Sequence, residues 1–207
     1  MDVLIAGSYG GVGQHITELL AESDYTAHAM VREESQVSEM EEEFGVDVVV
    51  ADLTEDVSHA VEGCDAVIFA AGSSGEDVEG VDRDGAIRLI DAAEQEGTDR
   101  FVMLSSINAD RPGESPEALQ PYLEAKLAAD EHLQGSDLTY TIVRPGALTD
   151  EPTTGRIEAA RRVERGEITR ADVARTLIAT LDIENTLGET FELIEGDEPI
   201  ESALESL

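Results

Sequence analysis

Short apolar runs alternate with stretches of helical periodicity from the first residues of the chain. Val3 to Ala6, Ala27 to Val31, Val46 to Val50, Ala66 to Ala70, Phe101 to Leu104 and Thr139 to Val143 have strand length, and several are nearly continuous. Continuous runs suit strands buried on both faces. Between them the spacing predicts helices over Gly11 to Glu22, Glu33 to Phe44, Val78 to Glu96 and Pro116 to Gln134, with Gly97 and Gly135 as stops. Strand and helix in repetition imply an α/β fold, a doubly wound parallel sheet covered on both faces with right-handed crossovers. Past Arg144-Pro145-Gly146 the pattern loosens into a helix from about Arg170 to Leu181, a strand Thr190 to Ile194 and a short terminal helix. This part, about 146–207, is expected to face a substrate. At 207 residues the chain is read as a single domain, 1–207.

Composition narrows the class of partner. The formal charge of -34 comes from 47 acidic against 13 basic residues spread along the whole length. Apolar periodicity survives between the acids, so the chain is not read as disordered. Such an acidic, lysine-poor and cysteine-poor surface is expected of a protein from a halophile, where concentrated salt screens self-repulsion. The charge speaks against nucleic acid or an anionic membrane as partner, since either needs a basic footprint. Any anionic ligand must be held by a local device. Cys64 is alone, which leaves no internal disulfide, and is expected to be a plain buried thiol. His15, His28, His59 and His132 are scattered without ligand spacing, so no metal site is expected. No apolar run has the length of a membrane span, and Met1-Asp2 leads directly into an apolar strand; a cytoplasmic protein is expected. A monomer and a homodimer both fit.

The local device follows the first strand. Gly7-Ser8-Tyr9-Gly10-Gly11-Val12-Gly13 places glycines at its first, fourth and seventh positions before an amphipathic helix. Glycines let the backbone turn and approach a phosphate, while the helix N-terminus offers unpaired amides and a partial positive charge. The second strand ends in Val31-Arg32. A carboxylate there would bond an adenosine ribose and favour NAD, whereas arginine favours a 2′-phosphate; the expectation is NADP over NAD. Asp52 and Leu53 follow the third strand, where a short acid and an apolar residue could flank the adenine. Ala70, Ala71 and Gly72 follow the fourth, small enough to leave room for a dinucleotide. All lie at carboxyl ends of successive strands, where a ligand crevice belongs.

Chemistry beyond binding needs proton donors. The fifth strand ends in Ser105-Ser106, and the next helix carries Tyr122 and, four residues on, Lys126, the only lysine of the chain. Where arginine supplies nearly every other positive charge, a lone lysine asks for a compact ammonium. Positions four apart share a helix face, so phenol and ammonium can reach one cleft. A free phenol has a pKa of about 10, and a nearby ammonium favours its ionised form. A serine hydroxyl beside them can hydrogen-bond a carbonyl or alcohol.

With these residues in place the chain resembles the short-chain dehydrogenase/reductase superfamily over essentially its full length. It looks most like the small atypical members of NAD(P)-binding, NmrA-like or NAD-dependent epimerase/dehydratase-like type. The stretches that carry the likeness are the glycine loop, Met30-Val31-Arg32, Phe69 to Gly72, Leu104-Ser105-Ser106, Tyr122 to Lys126, Ile142 to Gly146, Ile168 to Ala174 and Phe191 to Ile200. The resemblance implies an NAD(P)-binding Rossmann fold with Tyr122 as general acid or base. Lys126 would hold the nicotinamide ribose and ease ionisation of the tyrosine, and Ser106, in preference to Ser105, would orient the substrate. Pro145 and Gly146 would border the nicotinamide. The family's Asn-Ala-Gly turn is replaced by Ala70-Ala71-Gly72, and little chain follows Gly146 to build a large pocket. The leading expectation is an NADP-dependent oxidoreductase acting on a small carbonyl or alcohol. A sugar epimerase or dehydratase, and a non-catalytic NADP-binding redox sensor, stay open beside it.

Overall fold

A computed structural model describes residues 1–73 and 75–207. Six strands follow the expected runs: β1 Asp2–Ala6, β2 Thr26–Val31, β3 Asp47–Val50, β4 Ala66–Phe69, β5 Arg100–Leu104 and β6 Thr139–Pro145. Helices α1 Gly11–Ala21, α2 Val37–Phe44, α3 Ser58–Val61, α4 Asp84–Glu96 and α5 Gln120–Gln134 connect them. The later chain adds β7 Ala147–Thr149, β8 Arg156–Ala160, β9 Glu167–Thr169, α6 Arg170–Ala179, β10 Glu189–Glu195, β11 Glu198–Pro199 and α7 Ile200–Glu205.

The main sheet has nine strands in the order β11-β8-β10-β6-β5-β4-β1-β2-β3. All pairings from β3 to β10 are parallel, while β8 pairs antiparallel with β10 and with β11. The parallel sheet expected from the sequence therefore ends in an antiparallel edge. Its strands are short and mixed in polarity, and the loosened pattern after Gly146 hides them. A further pair, β7 with β9, stands apart as a small parallel sheet.

Alternation within the central strands splits the core. Val3 and Ile5 face a layer with Val12, Ile16 and Leu20 of α1 and Val173 and Leu177 of α6. Leu4 and Ala6 face the other layer, with Leu89 and Ile90 of α4 and Leu133 of α5. Both faces are covered, which is why β1 reads as an unbroken apolar run. Helix starts differ from the periodicity in three places. Glu34–Gln36 and Glu117–Leu119 are 3-10 turns ahead of α2 and α5, and Val78–Arg83 is a wider π-type turn ahead of α4.

Register brings the strand tips level. Ala6 lies opposite both Met30 and Phe69, and Phe69 opposite Met103. The chain order reverses between β1 and β4, so the loops after these two strands diverge to opposite faces and open a crevice. Among the described residues no helix is long and apolar enough to cross a membrane.

Candidate active site

The glycine loop forms the floor of that crevice. Gly7 has φ 89°, and a Cβ on it would lie 2.6 Å from both N and Cα of Ala71, so only glycine allows the loop and the β4 tip to approach this closely. A Cβ on Gly13 would overlap the carbonyl of Gly7, which locks the first turn of α1 against the loop. Ser8 is buried and donates to the Met30 carbonyl at 2.8 Å, tying the loop to β2. Tyr9 is partly exposed, and its hydroxyl donates to Glu39 at 2.7 Å, which raises the phenol's pKa. Gly10 is the N-cap of α1 with no side-chain cap, so the amides at Gly11 and Val12 keep their free direction. The unfilled cradle and uncapped amides fit an anionic dinucleotide backbone.

Gly11 owes its small size to a residue the sequence reading did not single out. A Cβ there would lie 2.9 Å from Cδ of Arg170, the first residue of α6. The guanidinium donates to Asp150 at 2.7 Å, and a cleft of about 410 Å³ opens beside it. The signal for Arg170 is three-dimensional, because α6 follows α1 by well over a hundred residues.

Arg32 stands exposed past β2, its guanidinium 3.1 Å from Glu33. Asp52 accepts from the backbone and hydroxyl of Thr54, both at 2.8 Å. Those bonds, with Arg32 and Arg88 nearby, hold its carboxyl below the usual range. Leu53 is buried and its carbonyl accepts from Arg88. Ala70, Ala71 and Gly72 run from the tip of β4 along the crevice, with Gly72 exposed. Pro145 and Gly146 are buried at the end of β6; a Cβ on Gly146 would strike the Gly166 carbonyl.

Lys126 reaches the tips of β4 and β5. Its Nζ donates to the Leu104 carbonyl at 3.3 Å and sits 5.7 Å from the ring centroids of both Phe69 and Tyr122. Helix spacing thus puts Tyr122 and Lys126 on one face, as a four-residue interval requires. Tyr122 is half-buried, and its hydroxyl has no hydrogen-bond partner among the described residues. The two serines differ. Ser105 is buried and donates to Asp130 at 2.8 Å, whereas the half-exposed Ser106 is 3.5 Å from the Ile107 carbonyl, too far to be held firmly.

Buried ions that the sequence reading missed hold this region. Asp130 takes both Ser105 and Arg144, the latter at 2.9 Å, and burial pushes its carboxyl pKa up against those stabilising partners. Glu192, in β10, accepts from Val163 N at 3.0 Å and from Arg111 at 2.6 Å, and so pins the loop after β5. In that loop Asn108 has φ 64°, a left-handed conformation asparagine tolerates. Asp82 is a third buried acid, 3.5 Å from Lys126. Cys64, expected to be buried, is half-buried, and burial still raises its thiol to about 11. Among the described residues no cluster could hold a metal ion.

A family model described as NAD(P)H-binding matches residues 7–184. The chain belongs to that NAD(P)H-binding family. Across its full length and that of the relative, it is 45% identical to the Bacillus subtilis protein called uncharacterized sugar epimerase YhfK. Among solved structures it is similar to a Bacillus halodurans protein described as an NAD-dependent epimerase/dehydratase, at 40% identity and TM-score 0.96 over the whole of both chains. It is also similar to the oxidoreductase YlbE of Lactococcus lactis, at 34% identity and TM-score 0.92 over 100% of this chain and 96% of that one. The Rossmann architecture and a nicotinamide cofactor class thus rest on both the crevice and the relatives.

Proposed function

We propose that this NAD(P)H-binding protein is an NADP-dependent oxidoreductase for a small carbonyl or alcohol. The observation that carries the reading is Lys126 set against the Tyr122 ring at the tips of β4 and β5, in the crevice that the glycine loop floors. The oxidoreductase name of the Lactococcus lactis relative agrees with it.

Gly11 and Val12 would hold the pyrophosphate on their amides, the Gly10 amide being taken by the Gly7 carbonyl at 2.9 Å. Arg170, which lies beside Gly11 and is paired only with the exposed Asp150, would add a cation from the other side. Arg32 would take the 2′-phosphate, Asp52 and Leu53 would flank the adenine, and Ala70 to Gly72 with Pro145 and Gly146 would border the remainder. A bound nicotinamide supplies or accepts the hydride. Ser106 orients the substrate oxygen, Tyr122 gives or takes the proton at that oxygen, and the Lys126 ammonium stands beside the tyrosine ring, where it would meet the cofactor ribose. The protein would work in the cytoplasm.

The test is a titration of the purified protein with NADPH and NADH, followed by a panel of small carbonyl compounds with NADPH absorbance as readout. NADPH should bind more tightly than NADH, and Arg32→Ala should erase the difference. Tyr122→Phe should bind NADPH normally and turn nothing over; normal turnover in that variant refutes the mechanism.

The names of the two Bacillus relatives favour a second reading, an epimerase or dehydratase in which the hydride is removed and returned. Stoichiometric consumption of NADPH by a carbonyl substrate excludes it.

A further inference from the structure

We propose that Asp82 is a positioning residue that sets the ammonium of Lys126 for cofactor binding and fixes the β4 loop to it. The proposal rests on the reading that Lys126 contacts the cofactor ribose.

Lys126 is 3% exposed and Asp82 1%, with Nζ and Oδ1 3.5 Å apart. A buried ammonium needs a counterion, because desolvation otherwise favours loss of the charge. Two buried acids lie within reach of Lys126. Asp130 is one turn further along α5, but its ion pair is with Arg144 at 2.9 Å, and of the two acids only Asp82 comes within ion-pair distance of Nζ. The four charges therefore divide into two pairs, Asp130 with Arg144 and Asp82 with Lys126.

The two oxygens of Asp82 face different partners. Oδ2 accepts from the backbone and hydroxyl of Ser73, at 3.1 and 2.6 Å. Oδ1 is buried with no hydrogen bond and looks toward the ammonium. A Cβ on Gly72 would come within 3.2 Å of that same oxygen, so a larger residue in the β4 loop would press on it. One carboxylate thus links the crevice wall at Gly72 and Ser73 to the lysine.

The turn that carries Asp82 is built to present it. Asp77 caps the π-type turn by accepting from Gly80 N at 3.0 Å, and the next acids, Glu79 and Asp84, stay at the surface while Asp82 alone is buried. An ammonium has three N–H donors. One goes to Leu104 and one turns toward Asp82, which leaves the third for a ribose hydroxyl. The loose 3.5 Å pair keeps the ammonium oriented without saturating it. The other charged or titratable groups around it are Tyr122 and Asp130 of α5 and, behind Asp130, Arg144 of β6.

The test is a double-mutant cycle on NADPH affinity in the full chain, using Asp82→Asn and Lys126→Met. Asparagine keeps an acceptor for Ser73 and removes the charge. Asp82→Asn should weaken NADPH about tenfold when Lys126 is present and less than about twofold in the Lys126→Met background. Because Lys126 is the only lysine, ε-carbon labelling yields one lysine resonance, and Asp82→Asn should move it. Unchanged affinity, an unmoved resonance, or equal losses in both backgrounds would overturn the proposal alone; the last would mean that Asp82 only braces Ser73. If Lys126→Met binds NADPH as tightly as the wild type, the cofactor reading of Lys126 falls and takes the proposal with it. Should Asp82→Asn not fold, Asp82→Ser replaces it in the same cycle with the same outcomes.

Discussion

The Ser105 hydroxyl donates to the buried carboxylate of Asp130 at 2.8 Å, and the same oxygen accepts Nε of Arg144 at 2.9 Å. A hydroxyl so engaged braces the end of β5 and is not available to a substrate, whereas the hydroxyl of Ser106 one residue on makes no contact shorter than 3.5 Å. The adjacent serines should therefore separate in their effects. Ser105→Ala should cost about 2 kcal/mol of stability, because Asp130 loses a partner in a buried site. Ser106→Ala should leave the melting temperature nearly unchanged and lower turnover about 100-fold, as loss of an oxygen-orienting donor does. Thermal melts beside carbonyl reduction assays check both, and a reversed pattern would reassign the substrate contact to Ser105.

Arg170 should matter to cofactor binding out of proportion to its exposure. Its side chain crosses Gly11 at the positive end of α1, and its partner Asp150 is itself 86% exposed and so a weak counterion. Arg170→Ala should weaken NADPH about tenfold and flatten the dependence of affinity on salt. Gly11→Ala should act in the same direction by displacing the guanidinium. Fluorescence titrations at two ionic strengths would show it, and salt dependence identical to wild type would place Arg170 outside the phosphate site.

What could be read from the sequence depended on how far each signal travels along the chain. The central strands were legible because burial on both faces makes them continuously apolar, and the glycine loop because backbone approach demands glycine at fixed local spacing. Tyr122 and Lys126 were legible through one helical turn and through the rarity of lysine. Strands β8 and β11, at the antiparallel end of the sheet, were not, since a short strand with an exposed side carries as many polar residues as a loop. The buried ions were hidden for another reason: among 47 acids nothing marks Asp82, Asp130 or Glu192 as interior. Only the packing of distant elements separates them from the solvated majority. Arg170 needed α6 laid against α1 before its reach to Gly11 could appear.

Asp172 should give stability a carboxylate-dependent acid limb. It is buried at the start of α6, where Thr169 donates its hydroxyl to the carboxylate at 3.0 Å and accepts from the Asp172 amide at 3.0 Å. Its carboxylate also takes Thr154 N and Gly155 N, each at 2.9 Å, and the hydroxyl of Thr153. Burial alone would raise its pKa, but these donors outweigh burial and hold it below the usual carboxylate value. A depressed folded-state pKa contributes stability above the unfolded value of about 4 and loses it as pH falls through the folded one. Asp172→Asn should cost about 2 kcal/mol at neutral pH, because its amide would oppose some of the donors. The gap between wild-type and variant melting temperatures should close as pH drops below about 4. A gap that stays constant through that range would show that the carboxylate charge is irrelevant to the loop it holds.

The surface charge should make stability rise with salt, and α2 shows why. Over Val37–Phe44 this helix buries Met40 and exposes Glu39, Glu41, Glu42 and Glu43 without a basic residue among them. Three of those acids fall in the last turn, where the helix's own partial charge is already negative, so repulsion between side chains and repulsion from the helix end act together. The same sign prevails across a chain of net charge -34. Screening shortens the range of such interactions from about 10 Å at 0.1 M salt to about 3 Å at 1 M. The melting temperature should therefore climb between about 0.1 M and 1 M sodium chloride. Glu42→Lys should raise it in dilute buffer, where the new cation relieves repulsion and suits the helix end, and should lose most of that advantage in concentrated salt. A salt-independent melting temperature in the wild type would mean that the acids are already compensated and that the composition reflects something other than concentrated salt. An advantage for Glu42→Lys that survives at high salt would point instead to packing of the lysine stem along α2.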